Sequence, residues 1–260
     1  MTAADVAHPE LIRCPGHPGS GIAHLHLGAA ALAADVEGDV GHARRFYNIV
    51  SVIPAIVLAA GRSSRMGRAK ATLPLDGGDT FLSRIVRTFL AAGVDDVVVV
   101  VGHDAEVIVK TFTESGLRAR FVVNFDYDRG QLSSLVAGLT VVDRPGVTAA
   151  LVTLVDVPLV SSATVRAVLD CYRRTQAPIV RPTSGVRHGH PLLIDRALFD
   201  ALRAANPDVG AKPIVRAHAS AAGDIDIADE GAFTDIDTDE EYRKITNGGR
   251  GRSIVDGGSR

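Results

Sequence analysis

Apolar positions along the chain fall into two rhythms. Residues 53–57, 97–101 and 149–155 are near-continuous apolar runs, the second of them five valines. Runs without alternation, rich in β-branched residues, predict strands buried on both faces, as in a parallel sheet. Between the first two, Phe81, Leu82, Ile85, Val86, Phe89 and Leu90 recur at helical spacing, with Thr80 as N-cap and Gly93 as stop. A second helix is predicted from Gly102-His103 to about Ser115, a short strand over 121–124, and a helix from Gly130 through Leu139. Ser161 and Ser162 cap a further helix to about Arg174. The alternation then loosens: strands over 178–181 and 191–194, a short helix over 197–205, strand candidates at 224–228 and 233–236, and a last helical turn or two over 240–245. The fold class is α/β, a doubly wound, mostly parallel, Rossmann-like sheet with right-handed crossovers.

The stretch ahead of residue 51 lacks these rhythms. It is rich in Ala, Gly and His, and carries His8, His17, His24, His26 and His42. His24 and His26 invite a metal reading, but no companion Cys or carboxylate spacing supports one. Residues 1–50 are expected to be a disordered or non-native extension, with the natural start near Val50. One domain over 51–246 follows, and then a flexible glycine-rich tail over 247–260.

Composition narrows the function. A net charge of -2 and a pI near 6.5 argue against a nucleic-acid or anionic-membrane partner. Cys14 and Cys171 are isolated, so neither a disulfide framework nor a zinc site is defined. No apolar run approaches the roughly 20 residues needed to span a bilayer. The first cation is Arg13, so a secretory signal is not expected and the cytoplasm is the default location.

The chemistry concentrates in Leu58-Ala59-Ala60-Gly61-Arg62-Ser63-Ser64-Arg65-Met66-Gly67-Arg68-Ala69-Lys70. A glycine turn after a buried strand presents free backbone N–H groups, and clustered cations beside it suit a polyphosphate. Arginine adds forked, charge-assisted hydrogen bonds and lysine a mobile point charge. The implied ligand is a nucleoside triphosphate. Asp156 ends the third apolar run, in L-V-D-V-P. Open parallel sheets bind ligands outside the carboxyl ends of their strands, so Asp156 is placed to hold Mg²⁺ against the triphosphate. In Thr234–Tyr242, Asp235 and Asp237 flank Ile236, and only one of them is expected to reach the metal.

The glycine loop resembles L-A-[AG]-G-x-[SG]-x-R-M-G-x-x-K, the signature of nucleotidyltransferases related to the molybdenum-cofactor guanylyl- and cytidylyltransferases. Gly61, Ser63, Arg65, Met66, Gly67 and Lys70 fall at that spacing, and the resemblance extends from about Ile53 to Ile245. It implies transfer of a nucleotidyl group to a phosphomonoester with release of pyrophosphate, and it is nearest to the branch that uses CTP and molybdopterin. Leu58, Ala59, Ala60, Gly61, Ser63, Arg65 and Lys70 would then hold the nucleotide. Asn124 and Ser134, in a segment similar to N-x₅-G-x-x-S, would lie beside its base and ribose. Arg65 would steady the leaving pyrophosphate, Lys70 the charge on the α-phosphate, and Asp156 with Asp237 the Mg²⁺. Pro182, Gly189 and His190 resemble an acceptor-side G-[HN]-P loop, and Lys212 a D-x-G-A-[RK] loop near the acceptor phosphate. The partners implied are CTP or GTP, a phosphorylated pterin, and a molybdoenzyme that receives the cofactor. Ala60, where guanylyl relatives more often carry glycine, narrows the base pocket toward cytosine. Other phosphorylated acceptors (sugar, polyol, phospholactate) stay open, as does a non-catalytic nucleotide-binding insertion factor.

Overall fold

The computed structural model describes residues 10–13, 22–26, 51–63 and 66–247. In chain order the strands are β1 (Glu10–Arg13), β2 (Ile22–His26), β3 (Ala55–Ala59), β4 (Val97–Val101), β5 (Arg120–Asn124), β6 (Ala149–Leu154), β7 (Ile179–Ser184), β8 (Arg187–His188), β9 (Leu192–Asp195) and β10 (Asp224–Asp226). The helices are α1 (Phe81–Ala91), α2 (Ala105–Thr113), α3 (Gln131–Val142), α4 (Ser162–Thr175), α5 (Phe199–Arg203), α6 (Lys212–His218) and α7 (Asp239–Asn247). They build one sheet in the order β1-β2-β5-β4-β3-β6-β9-β7-β10, with β8 paired to β7. The centre, β5-β4-β3-β6, is parallel, and β9 runs antiparallel to both β6 and β7.

The continuous apolar runs are buried on both faces, as a central parallel strand requires. Ala55, Val57 and Ala59 pack with residues of α1, α2 and α4 on one face. Ile56 and Leu58 pack with α3 and α5 on the other. Helix α3 lies close to the sheet: a Cβ built at Gly138 would stand 2.6 Å from Ile56 Cγ2. Thr80 and Ser83 form a reciprocal capping box at the start of α1. Buried Asp79 receives Arg84 and Arg87 just ahead of it. Desolvation pushes the Asp79 carboxyl up, but hydrogen bonds from Arg87, Arg84 and Ser83 outweigh it and hold the pKa below the ordinary value.

The structure differs from the sequence reading in four places. Strand β3 begins at Ala55, because Pro54 has no N–H for a central ladder. Residues 233–236 are not a strand: a 3-10 turn spans Glu230–Phe233, and Ile236 then donates its N–H to the Asp156 carbonyl. Helix α6 was not anticipated; Pro213 sits in its first turn, and Ile214 and Val215 pack on the α3-side core. Two segments of the stretch read as an extension, β1 and β2, join the sheet edge, with β2 antiparallel to β5. The rest of residues 1–50 and residues 248–260 lie outside the described residues, so the extension and tail stay expectations. No helix among the described residues is long and apolar enough to cross a membrane.

Candidate active site

The strand order reverses between β3 and β6: from β3 the chain winds outward through β4 and β5, then returns to place β6 on the opposite flank of β3. Such a switch point leaves a crevice at the carboxyl ends of the two strands. A cleft of about 310 Å³ opens there. Leu58, Ala60, Gly61 and Ser63 form one wall, Tyr127, Gly130, Gln131 and Ser134 another, and Leu154, Asp156 and Lys70 close it.

Gly61 lines the cleft, and a Cβ built there would meet nothing within 4 Å. The protein's own packing therefore does not demand glycine, and the open space is left to a ligand. The sharp turning falls later, at Ser63 (φ 49°) and Gly67 (φ 63°), both in the left-handed region. Ser63 holds this conformation while its Oγ accepts the Lys70 N–H at 3.1 Å. That bond anchors the 3-10 turn Lys70–Thr72, from which the Lys70 side chain enters the cleft.

Lys70 Nζ donates to Asp156 Oδ2 at 3.1 Å and to Asp237 Oδ1 at 2.5 Å. Burial opposes the ammonium's charge, but the two carboxylates outweigh it and raise the pKa above the ordinary lysine value. Asp156 Oδ1 is buried and has no hydrogen-bond partner among the described residues. A carboxylate oxygen with nothing to accept from is costly unless something else fills its lone pairs. A hard divalent cation fits this donor set.

Asp235 and Asp237 lie two residues apart on extended chain, so they face one side while Ile236 enters the core. Both carboxylates therefore lie on the Asp156 side, and that only one of them reaches a metal stays an expectation. Asp237 holds Lys70, and Asp235 lies near enough to Asp156 and His190 to feel both. Desolvation, then the Asp156 charge, raises the Asp235 carboxyl. Desolvation lowers the His190 pKa against the opposing pull of the Val152 carbonyl, Asp235 and Asp156.

The other predicted residues are placed as follows. Arg65 lies outside the described residues. Ala59 and Ala60 are buried, and the Ala60 carbonyl accepts from His103 N. Asn124 does not line the cleft: its amide donates to Ser133 and Ser134, and its oxygen accepts from Asp126 N. It borders a second cleft of about 260 Å³ on the flank of α3. Pro182 and Gly189 are buried; a Cβ at Gly189 would stand 2.5 Å from the Ala232 carbonyl oxygen. Lys212 is exposed at the start of α6, and neither it nor His190 borders the main cleft.

Tyr127, Asp128 and Glu241 went unread in the sequence, while Gln131 belongs to the segment compared with N-x₅-G-x-x-S. Tyr127 and Gln131 line the cleft. Asp128 takes a forked pair from Arg62, at 2.9 and 2.7 Å, with the guanidinium 5.8 Å from the Tyr127 ring centre. Arg62 is thus a bridge between the two walls, and Arg68 stacks on Tyr242, so neither points its charge into the cleft. Glu241 Oε2 accepts from the N–H groups of Asp237 and Thr238 and from the Thr238 hydroxyl. The only sequence signal for Tyr127 was an aromatic residue between two aspartates.

Fold and cleft together define a nucleotidyltransferase with a Rossmann-like sheet. Residues 55–222 match the MobA-like NTP transferase domain, and the chain belongs to that family. The chain is 32% identical to the nicotine blue oxidoreductase of Paenarthrobacter nicotinovorans over 207 residues, covering 74% of this chain and 96% of that protein. It is 30% identical to a probable molybdenum cofactor guanylyltransferase of Mycobacterium avium over 136 residues, covering 52% of this chain and 66% of that one. Among solved structures it resembles Rv0371c of Mycobacterium tuberculosis in complex with manganese, with a TM-score of 0.62 and 26% identity, covering 76% and 99% of the two chains.

Proposed function

We propose that this chain transfers CMP from CTP to the phosphate of molybdopterin and releases pyrophosphate. The observation that carries the reading is the convergence of Lys70, Asp156 and Asp237 at a switch-point cleft whose glycine loop leaves room for phosphates. Phosphoryl-type transfer needs mostly positioning and charge stabilisation, and this site supplies those groups. The acceptor phosphate is already an anionic nucleophile, so no strong base is required.

Lys70 turns from its carboxylates toward the α-phosphate and stabilises the charge that builds there. Arg65 holds the β- and γ-phosphates and follows the departing pyrophosphate. Asp156 and Asp237 would hold Mg²⁺, which when bound neutralises phosphate charge. The manganese complex of the Rv0371c relative supports a divalent cation. Ala60 and Ser134 border the base and ribose, and Asn124 contributes by holding Ser134. On the acceptor side the polar contacts fall to His190 and Lys212, while Pro182 and Gly189 shape the backbone that presents His190.

The test is pyrophosphate release with CTP, GTP and ATP against molybdopterin, a sugar phosphate, a polyol phosphate and phospholactate. Release with CTP and molybdopterin above all other pairs is expected. Release with another acceptor reassigns the substrate, and nucleotide binding without release makes the chain an insertion factor.

A further inference from the structure

One side of the cleft is closed by a circuit of contacts that the transfer chemistry does not use. Arg62, one residue past Gly61, gives Asp128 a forked pair, Nε to Oδ1 at 2.9 Å and Nη2 to Oδ2 at 2.7 Å. Its guanidinium stands 5.8 Å from the Tyr127 ring centre. Tyr127 seats in turn on the residues after β4. A Cβ built at Gly102 would stand 2.8 Å from the Tyr127 side chain, and the Tyr127 and His103 ring centres lie 6.0 Å apart. The His103 N–H closes the circuit on the Ala60 carbonyl at 3.2 Å. Segments 60–62, 102–103 and 127–128 thus meet in one ring, and within it Gly61 and Tyr127 line opposite walls of the cleft. The Tyr127 wall has little stiffness of its own. It is a single 3-10 turn, Tyr127–Arg129, joined to α3 through Gly130 at φ 96°.

We infer that Arg62 and Asp128 are positioning residues for the nucleotide: their ion pair straps the two walls together at the spacing its nucleoside end needs. This deepens the reading above and rests on it for which end of the nucleotide lies here. Both side chains are 59% exposed, so the pair fills no core, and an exposed pair adds little to folding as a rule. Its place gives it another use, because its two ends stand on the two walls of a binding cleft. Walls held together before the ligand arrives need no ordering when it binds. Without the strap the walls part in the free protein, and the apparent affinity falls with the fraction of molecules in the binding-competent form. A plain charge effect would have the opposite sign. Asp128 is an anion beside a site for a polyanion, so neutralising it, and releasing Arg62, would by electrostatics alone strengthen nucleotide binding. The strap makes the same change weaken it.

The experiment is calorimetry of CTP and of GTP binding to the full chain, with no acceptor present. The unaltered protein is compared with Asp128→Asn, Arg62→Gln and the double variant, each checked for fold by circular dichroism and thermal melting. Each single substitution should weaken binding by about two- to fivefold, the span of one well-aligned exposed pair. The double variant should bind no more weakly than either single one, since the same interaction is lost once. At about 1 M salt, where the screening length is roughly 3 Å, the differences should close. Tighter binding by Asp128→Asn, or losses that add in the double variant, overturns the inference. Hydrogen exchange over residues 125–134 of the free protein is the arm that needs no nucleotide. Faster exchange is expected in Asp128→Asn than in the unaltered protein, and equal exchange overturns the strap. Absence of CTP and GTP binding by the unaltered protein would discard the proposed donor, while the exchange arm still decides whether the pair holds the walls.

Discussion

Residues 55–156 bring their cleft side chains to the ends of neighbouring parallel strands. The loop after β3 and Asp156 after β6 meet because the two strands are paired, Leu58 opposite Leu154. Residues after 178 work differently. Asp237 and His190 come from loops next to short strands, a 3-10 turn and an antiparallel neighbour. In the first region the secondary structure itself aims the chemistry. In the second, aim depends on a local cap, Glu241 on the Asp237 backbone four residues before it, and on two tertiary contacts, Ile236 in the core and Gly189 against Ala232. Parallel βαβ order makes a nucleotide site from local sequence, whereas an acceptor site can vary because loops carry it.

The largest effect should come from Asp156→Asn. Its backbone carbonyl still accepts the Ile236 N–H, so the fold is kept while turnover falls by at least about 10²-fold, the scale of losing one charge-stabilising group. Pyrophosphate release and a melting curve check both halves; near-normal turnover in a folded protein would remove Asp156 from the site. Lys70→Ala should lower kcat by about 10²-fold while raising the nucleotide KM less. A pure KM effect would turn Lys70 into a ground-state binder and weaken the contrast between the regions.

Gly189→Ala probes the tertiary contacts of the second region. The added methyl meets the Ala232 oxygen and the Phe233 ring at 2.5 and 2.8 Å, an overpacking that costs about 1–3 kcal/mol. Chemical denaturation should show that loss with CTP affinity unchanged; unaltered stability would sink the packing role. Ala60→Gly should relax the preference of kcat/KM for CTP over GTP by about tenfold, near the low end for one methyl group. A native preference for GTP would discard cytosine outright.

The smallest effect is a pH dependence at Asp79, just ahead of α1. Its folded pKa is depressed, so its contribution is complete above the ordinary carboxylate value near 3.8 and is lost as pH falls through the lower folded value. Asp79→Asn should flatten the acid limb of stability below about pH 4. An unchanged limb would show that Arg84 and Arg87 do not depend on this carboxylate.

The sequence by itself determined the fold class, because five consecutive valines and their apolar counterparts on either side can be satisfied only inside a covered parallel sheet. It also determined the glycine loop and Asp156, since a buried strand end followed by a turn is a local pattern. Tertiary structure alone decided the rest. The partnership of Lys70 with Asp237 spans 167 positions, and no periodicity encodes such a distance. Asn124 was legible as polar, but only packing shows that its amide is spent on Ser133 and Ser134. Gly189 was legible as a motif glycine, yet the reason for it is the backbone of residue 232 pressing from another element. Local patterns are written where hydrogen bonds and burial repeat along the chain; a site's final geometry is set where distant segments exclude water from one another.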